Sequence, residues 1–281
     1  MIPKERAPLN IVFPAPVHGA SEDRSASRVS KLPTVRNSIL RGLSPADLSY
    51  IYPLLEFIPL GERVVLQERH RKIEYVDFIE AGIVSLRTLD AGTTLETAIV
   101  GRHGIVGASA ALGTERSSQR AVVMISGGTM RINRDDLKRA MSERPQIWER
   151  LLRYIESQIA HSAQIALCGI CHGLEKRLAC WLCLVCDALD NNVIPATHDY
   201  VSAGLGMRRA SVTEALARFE DQGIVQRGRG VLHVRDRTKL QQKTCGCYGV
   251  IKSAYSLETP VPPSRPAAAT ANQCQHERTW Y

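Results

Sequence analysis

Residues 197 to 230, THDYVSAGLGMRRASVTEALARFEDQGIVQRGRG, carry a pattern that few folds accommodate: two short helices about an obligatory tight turn, then a basic hairpin. Thr197 is placed to accept from the free backbone N–H groups of the first helix, and Asp199 suits the positive end of its dipole. Gly206 marks the turn, where only a residue without a Cβ takes a left-handed conformation at little cost. In the second helix Val212, Leu216 and Phe219 are spaced by four and three, so they form one inward stripe and leave Arg208, Arg209, Thr213 and Glu214 off it. Beyond it Ile224, Val225, Val231, Leu232 and Val234 flank Arg227-Gly228-Arg229-Gly230, two short strands around a glycine-containing turn. The layout predicts a recognition helix followed by a wing. Between 227 and 243, six basic residues (Arg227, Arg229, Arg235, Arg237, Lys239 and Lys243) stand against Asp236, a net of +5 within the chain's +8. Basic residues beside such a helix are suited to phosphate contacts.

At 281 residues the chain can form two modest domains with their own cores. It contains no run of about 18 apolar residues, and its start lacks a charged stretch followed by an apolar core. A membrane span or a secretory signal is therefore not expected, and the reading is cytoplasmic. Eight cysteines suit a reducing compartment better than a disulfide framework. A pI near 9.2 points towards a polyanionic partner.

Five segments are expected: a disordered tail over 1–35, a β-roll over 36–143, a long helix and hinge over 144–172, the helix-turn-helix with its wing over 173–243, and a cysteine-containing extension with a disordered tail over 244–281. Ser44-Pro45-Ala46-Asp47 is a helix start, with Ser as cap and Pro at the first position. From 57 to 133 short β-branched or alternating runs (63–66, 75–79, 83–89, 94–100, 120–125, 130–132) are broken by glycines and by the turn signal Asp90-Ala91-Gly92, which argues for a compact β-sandwich or β-roll. Asp135 opens a short helix and Pro145 a long one. Along the long helix Trp148, Leu152, Ile155, Ile159, Ser162 and Ala166 recur by four and three as a coiled-coil seam. A second row, Ile147, Leu151, Tyr154 and Ile165, is left for the β-domain. The expectation is an α+β homodimer.

In this order of elements, over about 37–240, the chain resembles the Crp/Fnr family of bacterial transcription regulators. The stretch Glu175-Lys176-Arg177-Leu178-Ala179 carries the likeness, followed by Gly206, Arg209, Val212, Glu214, Leu216 and FEDQGIV. The resemblance implies a cyclic-nucleotide-binding-like β-roll, a dimerisation helix and a winged helix-turn-helix. It also implies double-stranded DNA with an inverted-repeat operator, a second copy of the chain and RNA polymerase as partners, and activation as the commoner mode. It puts base readout on Arg209, Ala210, Thr213 and Glu214, and phosphate contacts on Thr197, Arg208, Ser211, Arg227 and Arg229. A guanidinium at Arg209 can bond guanine bidentately, and Glu214 can accept from a cytosine amine or orient Arg209. One departure is Gly204, which stands where the family places a large apolar residue; a mid-helix glycine costs about 1 kcal/mol against alanine. A less stable DNA-binding unit is expected.

The family's cyclic-nucleotide binders use a Gly-Glu pair and an Arg-Ser/Thr pair. Here Gly107 is followed by Ala108, so the ribose contact is missing and tight binding of cyclic AMP is not expected. Arg116, Ser117 and Arg120 are left to meet a phosphate, or to lie on a surface loop. Cys168, Cys171, Cys180, Cys183 and Cys186 suit a zinc, iron–sulfur or disulfide role, or serve as small buried apolar residues, the reading preferred here. Cys245 and Cys247 resemble a cysteine-containing tail in one branch of the family. His103, His161, His172 and His198 make no ligand spacing with a second His or carboxylate, so no metal ligand and no cofactor is assigned. Nor does any Ser-His-Asp set, phosphate-cradling glycine loop or paired carboxylate suggest an enzyme. The rivals to a DNA-binding regulator are a metal or redox protein whose helix pair contacts protein, which the wing arginines disfavour, and a cyclic-nucleotide module, which Ala108 disfavours.

Overall fold

The computed structural model describes residues 34–90 and 93–256. The tails expected over 1–33 and 257–281, and the Ala91-Gly92 turn, lie outside the described residues. Val35 is buried in the amino-terminal core, so the packed chain begins a little before the expected boundary at 36. Helix α1 (Ser38–Arg41) follows Asn37, whose side chain caps it by accepting from Ile39 and Leu40 N–H. Helix α2 (Pro45–Ile51) starts as its sequence dictates, with Ser44 accepting from Asp47 N–H.

Strands β1 (Glu56–Leu60), β2 (Val65–Gln67), β3 (Tyr75–Asp90), β4 (Thr93–Val100), β5 (Ile105–Val106) and β6 (Arg120–Asn133) form one antiparallel sheet with the path β1-β6-β3-β4; β2 pairs with β6 and β5 with β3. Two of these strands each join a pair of runs that look separate in the sequence. The reason lies at the β3–β6 crossing, where the register shifts between Ile79 and Val84. A Cβ on Gly82, which has φ +84°, would fall 2.4 Å from the Ile125 carbonyl oxygen, and one on Gly127 2.0 Å from that of Ala81. The glycines let two backbones meet within continuous, bulged strands rather than end them. β1, which the sequence runs do not include, contains Pro59 and lies at the end of the sheet path, where a residue without an N–H is tolerated.

Helix α3 (Arg134–Glu143) and helix α4 (Pro145–Cys171) follow, then α5 (Leu174–Leu189), β7 (Val193–Ile194), α6 (His198–Leu205), α7 (Arg209–Asp221), β8 (Val225–Gly228), β9 (Val231–Val234), α8 (Arg237–Gln242) and α9 (Gly246–Ala254). The last helix gives the cysteine-containing extension expected from 244 a form that the sequence reading did not assign. Cys247, Tyr248 and Ile251 are buried, at positions spaced by one, three and four, in a cluster that also holds α5 and α7. Its two glycines and short length hid this amphipathic face. On α4, Ile147, Leu151 and Tyr154 pack into the amino-terminal core as expected, but so does Ile155, assigned to the opposite seam.

The carboxy-terminal core runs into the sheet without a break, since Ile83, Ile99, Met124 and Ile125 belong to the same buried cluster as Val212, Leu216 and Phe219. A polar connection lies beside it. Glu96 on β4 is fully buried, and accepts from Trp181 Nε1 on α5 at 2.8 Å, from the Tyr200 hydroxyl on α6 at 3.1 Å, and from Ser85 Oγ on β3. Arg87 Nε donates to Ser85 Oγ at 2.9 Å, and its guanidinium lies 5.5 Å from the Tyr200 ring centre. Burial pushes the Glu96 carboxyl above its usual range, although the three donors pull the other way. Gly204 is explained by the same network. A Cβ there would stand 3.3 Å from Glu96 Oε1 and 3.4 Å from Trp181 Nε1. The glycine keeps its helical cost, yet it leaves no hole, because the carboxylate and indole occupy the space that a larger side chain would need.

Glu96→Ala should lower stability by about 3 kcal/mol in urea unfolding, because two buried donors from the other domain lose their acceptor. Since the folded carboxyl titrates above an unfolded glutamate, its contribution is full below the ordinary glutamate range and falls as pH rises through the raised value. Wild type should therefore lose stability relative to Glu96→Gln over that rise. Ile251→Ala should cost about 2–5 kcal/mol and the half-exposed Val250→Ala under about 0.5 kcal/mol, read by the same unfolding midpoint.

Candidate nucleic-acid interface

The turn between α6 and α7 is built as its sequence requires. Thr197 Oγ1 accepts from Tyr200 N–H at 3.3 Å, and Gly206 takes φ +62° at the end of α6, with Met207 N–H donating to Ser202 O at 2.9 Å. Arg177 of α5 closes the turn by donating to the Leu205 carbonyl and, at 3.1 Å, to Met207 Sδ. Val212, Ala215, Leu216 and Phe219 bury the inner face of α7.

The outer face carries the residues to which readout was assigned. Arg208, Arg209, Ala210 and Glu214 are exposed, and Ser211 and Thr213 half-buried. Arg209 Nε lies 3.1 Å from Asp199 Oδ1 across the turn, so it pairs with the first-turn acid of α6. Both side chains are well exposed, which makes this a weak pair that an anion can displace. The Thr213 hydroxyl donates to Arg209 O and lies 3.0 Å from His198 Nδ1. With its proton given to the carbonyl, the hydroxyl accepts from His198, which therefore carries its proton on Nδ1. Burial, then the nearby Arg227 and Arg209, push the His198 pKa down, against the pull of Asp199.

The wing pairs β8 with β9 in the register Val225↔Val234 to Gly228↔Val231, and β7 extends the sheet on the far side of β9. Arg229 is exposed at its tip, beside Gly230 with φ +75°. The other basic residues divide. Arg227 donates through its backbone N–H (2.8 Å) and Nε (2.6 Å) to Glu220, whose carboxyl these bonds hold below the usual range. Arg237 turns away from the wing, donating to Cys183 O and to Asp187, and so ties α8 to α5. Arg229 is therefore the wing cation least engaged by its own chain.

In the β-domain, Gly107 and Ser117 line a cavity of about 520 Å3 together with Gln119 and, from α4, Gln158, Ile159 and Ser162. The two arginines expected there lie elsewhere: Arg116 donates to the His70 carbonyl at 3.0 Å and Arg120 pairs with Glu68 at 3.1 Å. The cavity receives Ser117, Ser118 and Gln119, while the two flanking arginines are held outside it by the His70 carbonyl and Glu68.

The cysteines also part from the expected set. Cys180, Cys183 and Cys186 are buried on α5 and Cys171 is exposed, whereas Cys168 meets Cys245, Cys247 and His172. His172, which makes no ligand spacing with a second His or carboxylate in the sequence, lies here beside three cysteines. The available signal was Cys168 and His172 four residues apart at a helix end; looking only for a second His or carboxylate passed over it.

No helix among the described residues is long and apolar enough to cross a membrane. Residues 176–243 match the family model of the Crp-like helix-turn-helix domain. No curated protein sequence matches the chain. Its structure is similar to that of FixK2 from Bradyrhizobium japonicum, with a TM-score of 0.61 at 17% identity over 68% of this chain and 98% of that one. A structure assigned to a Crp/Fnr regulator from Eubacterium rectale gives 0.57 at 15% over 73% and 96%. A Crp/Fnr regulator from Thermus thermophilus gives 0.55 at 19% over 67% and 97%. At these identities the likeness to solved structures is one of fold, and the helix-turn-helix match adds the sequence. Residues 176–243 thus carry a Crp-like helix-turn-helix domain, and the chain shares its fold with Crp/Fnr regulators of known structure.

Proposed function

We propose that the protein is a homodimeric, sequence-specific DNA-binding transcription regulator, acting in the cytoplasm on an inverted-repeat operator under the control of an effector. The observation that carries this reading is the outer face of α7, where Arg208, Arg209, Ala210 and Glu214 are exposed beside Arg229 of the wing. This combination suits a helix in the major groove flanked by a phosphate contact. Thr197, Ser211 and Arg227 are the further phosphate contacts of the proposal, Arg227 after release from Glu220. RNA polymerase is the partner implied for activation.

The dimer rests on α4. Trp148, Ile159 and Ile170 recur every eleven residues, three helical turns, and are 45%, 64% and 85% exposed. Leu152 packs in part against the amino-terminal core, Ser162 is half-buried and Ala166 exposed on the same side, and a second copy of α4 would offer apolar cover to the exposed Trp148, Ile159 and Ile170. Ile159 and Ser162 also line the β-domain cavity. An effector bound there would touch the dimer helix directly.

Mobility-shift assays on selected duplexes test the proposal, and the absence of salt-sensitive, sequence-selective binding by wild type would refute it. Arg209→Ala should cost about 1–3 kcal/mol at one base position and relax specificity there. Arg229→Ala should weaken all sequences alike and flatten the salt slope by about one unit. Calorimetric titration with cyclic AMP should give no binding in the micromolar range or tighter, because Ala108 offers the ribose no carboxylate.

A further inference from the structure

Four side chains from two distant parts of the chain converge at the junction of α4, α5 and α9. Cys168 lies in the last turn of α4 and His172 is its C-cap; Cys245 is the N-cap of α9 and Cys247 sits in its first turn. Each offers one ligand atom, and the four atoms lie within 4.8 Å of one another. Cys168 Sγ is 3.5 Å from Cys245 Sγ, and Cys247 Sγ is 3.5 Å from His172 Nδ1. All three cysteines are buried and His172 half-buried, which leaves the imidazole side as a path to solvent.

These spacings decide what the cluster can hold. A tetrahedral zinc ion with Zn–S of about 2.3 Å and Zn–N of about 2.0 Å sets its ligands about 3.5–3.8 Å apart. The Cys168–Cys245 and Cys247–His172 separations of 3.5 Å already match, and the widest needs to close by about 1 Å. An iron–sulfur cluster spreads its ligands over separate iron atoms and requires a wider cage. Scattered buried thiols would be interleaved with apolar side chains, whereas here three sulfurs and an imidazole nitrogen face a common point. The surroundings complete the pattern, with Gln164 Nε2 donating to Cys247 Sγ at 3.2 Å and Cys180 hydrogen-bonded to Cys168.

We propose that Cys168, His172, Cys245 and Cys247 form a closed, mononuclear Cys3His site for a divalent ion of the zinc class. The ion clasps α9 to the end of α4 at the break before α5. It adds a metal clamp to contacts that α9 already makes along α4, where Ser157 Oγ donates to the Ala254 carbonyl and His161 Nδ1 lies 3.0 Å from the Tyr255 hydroxyl. Ligand binding on loading deprotonates the three thiols, and each proton leaves to solvent.

The test uses the full chain, purified under reducing conditions, stripped with a chelator and titrated with Co2+. One equivalent per chain should bring thiolate-to-metal charge-transfer absorption and the strong d–d bands of a tetrahedral site, both abolished by Zn2+. The double variant Cys245→Ser/Cys247→Ser should lose these bands, and Cys186→Ala, on α5 outside the cluster, should keep them. Zn2+ should raise the unfolding temperature of wild type and not that of the double variant. A featureless Co2+ titration of the reduced wild type overturns the proposal whatever the variants do. So do bands that persist in the double variant, a protein isolated with iron and acid-labile sulfide at this site, or a reduced chain that closes a disulfide here in preference to taking up metal.

Discussion

A carboxylate removed from water has to be compensated by donors, and in this protein two of the three donors for Glu96 come from across a domain boundary. Transferring that group into the interior without partners would cost several kcal/mol. Ser85 supplies one donor from within the sheet, while Trp181 and Tyr200 supply the others from α5 and α6. Each contact has a narrow range of useful geometry, so satisfying all of them fixes the distance and rotation of the helix-turn-helix against β4. The apolar packing around Ile99 and Ile83 is tolerant of small slides; the buried carboxylate is not. The helix-turn-helix is thus seated against the β-domain by this carboxylate together with the shared apolar cluster.

Elements whose local chemistry matches their tertiary role were readable from the chain alone. The Ser44 and Thr197 caps, the left-handed Gly206 and the four-and-three stripe of α7 each follow from short-range rules, and each stands as read. The α+β order of sheet, long helix and helix-turn-helix was legible for the same reason. Misreadings arose where a long-range partner decides the outcome. Gly82 and Gly127 look like strand ends until the opposing backbone that they admit is known, and α9 stays unassigned until its buried face finds α5.

The interface shows the same division. Exposure of Arg208, Arg209 and Glu214 follows from helical periodicity, but Asp199 as the neighbour of Arg209, Glu220 as the clamp on Arg227, and Asp187 as the anchor of Arg237 are pairings between separate elements. A charge count over 227–243 could not separate cations available to an anion from cations that hold the domain together. The cysteines illustrate this most clearly, since Cys168 and Cys245 are 77 positions apart in the chain and adjacent in space.

Gly204 has a consequence for the modularity of such regulators. Its lack of a side chain makes room for an acid belonging to the other domain, so positions 96 and 204 are exchangeable only as a pair. A helix-turn-helix grafted from a relative with a large apolar residue at this place would drive a hydrocarbon group onto a buried carboxylate. The β-domain and the helix-turn-helix of this chain are in that sense matched parts, and a chimera should carry Glu96, Trp181, Tyr200 and Gly204 together.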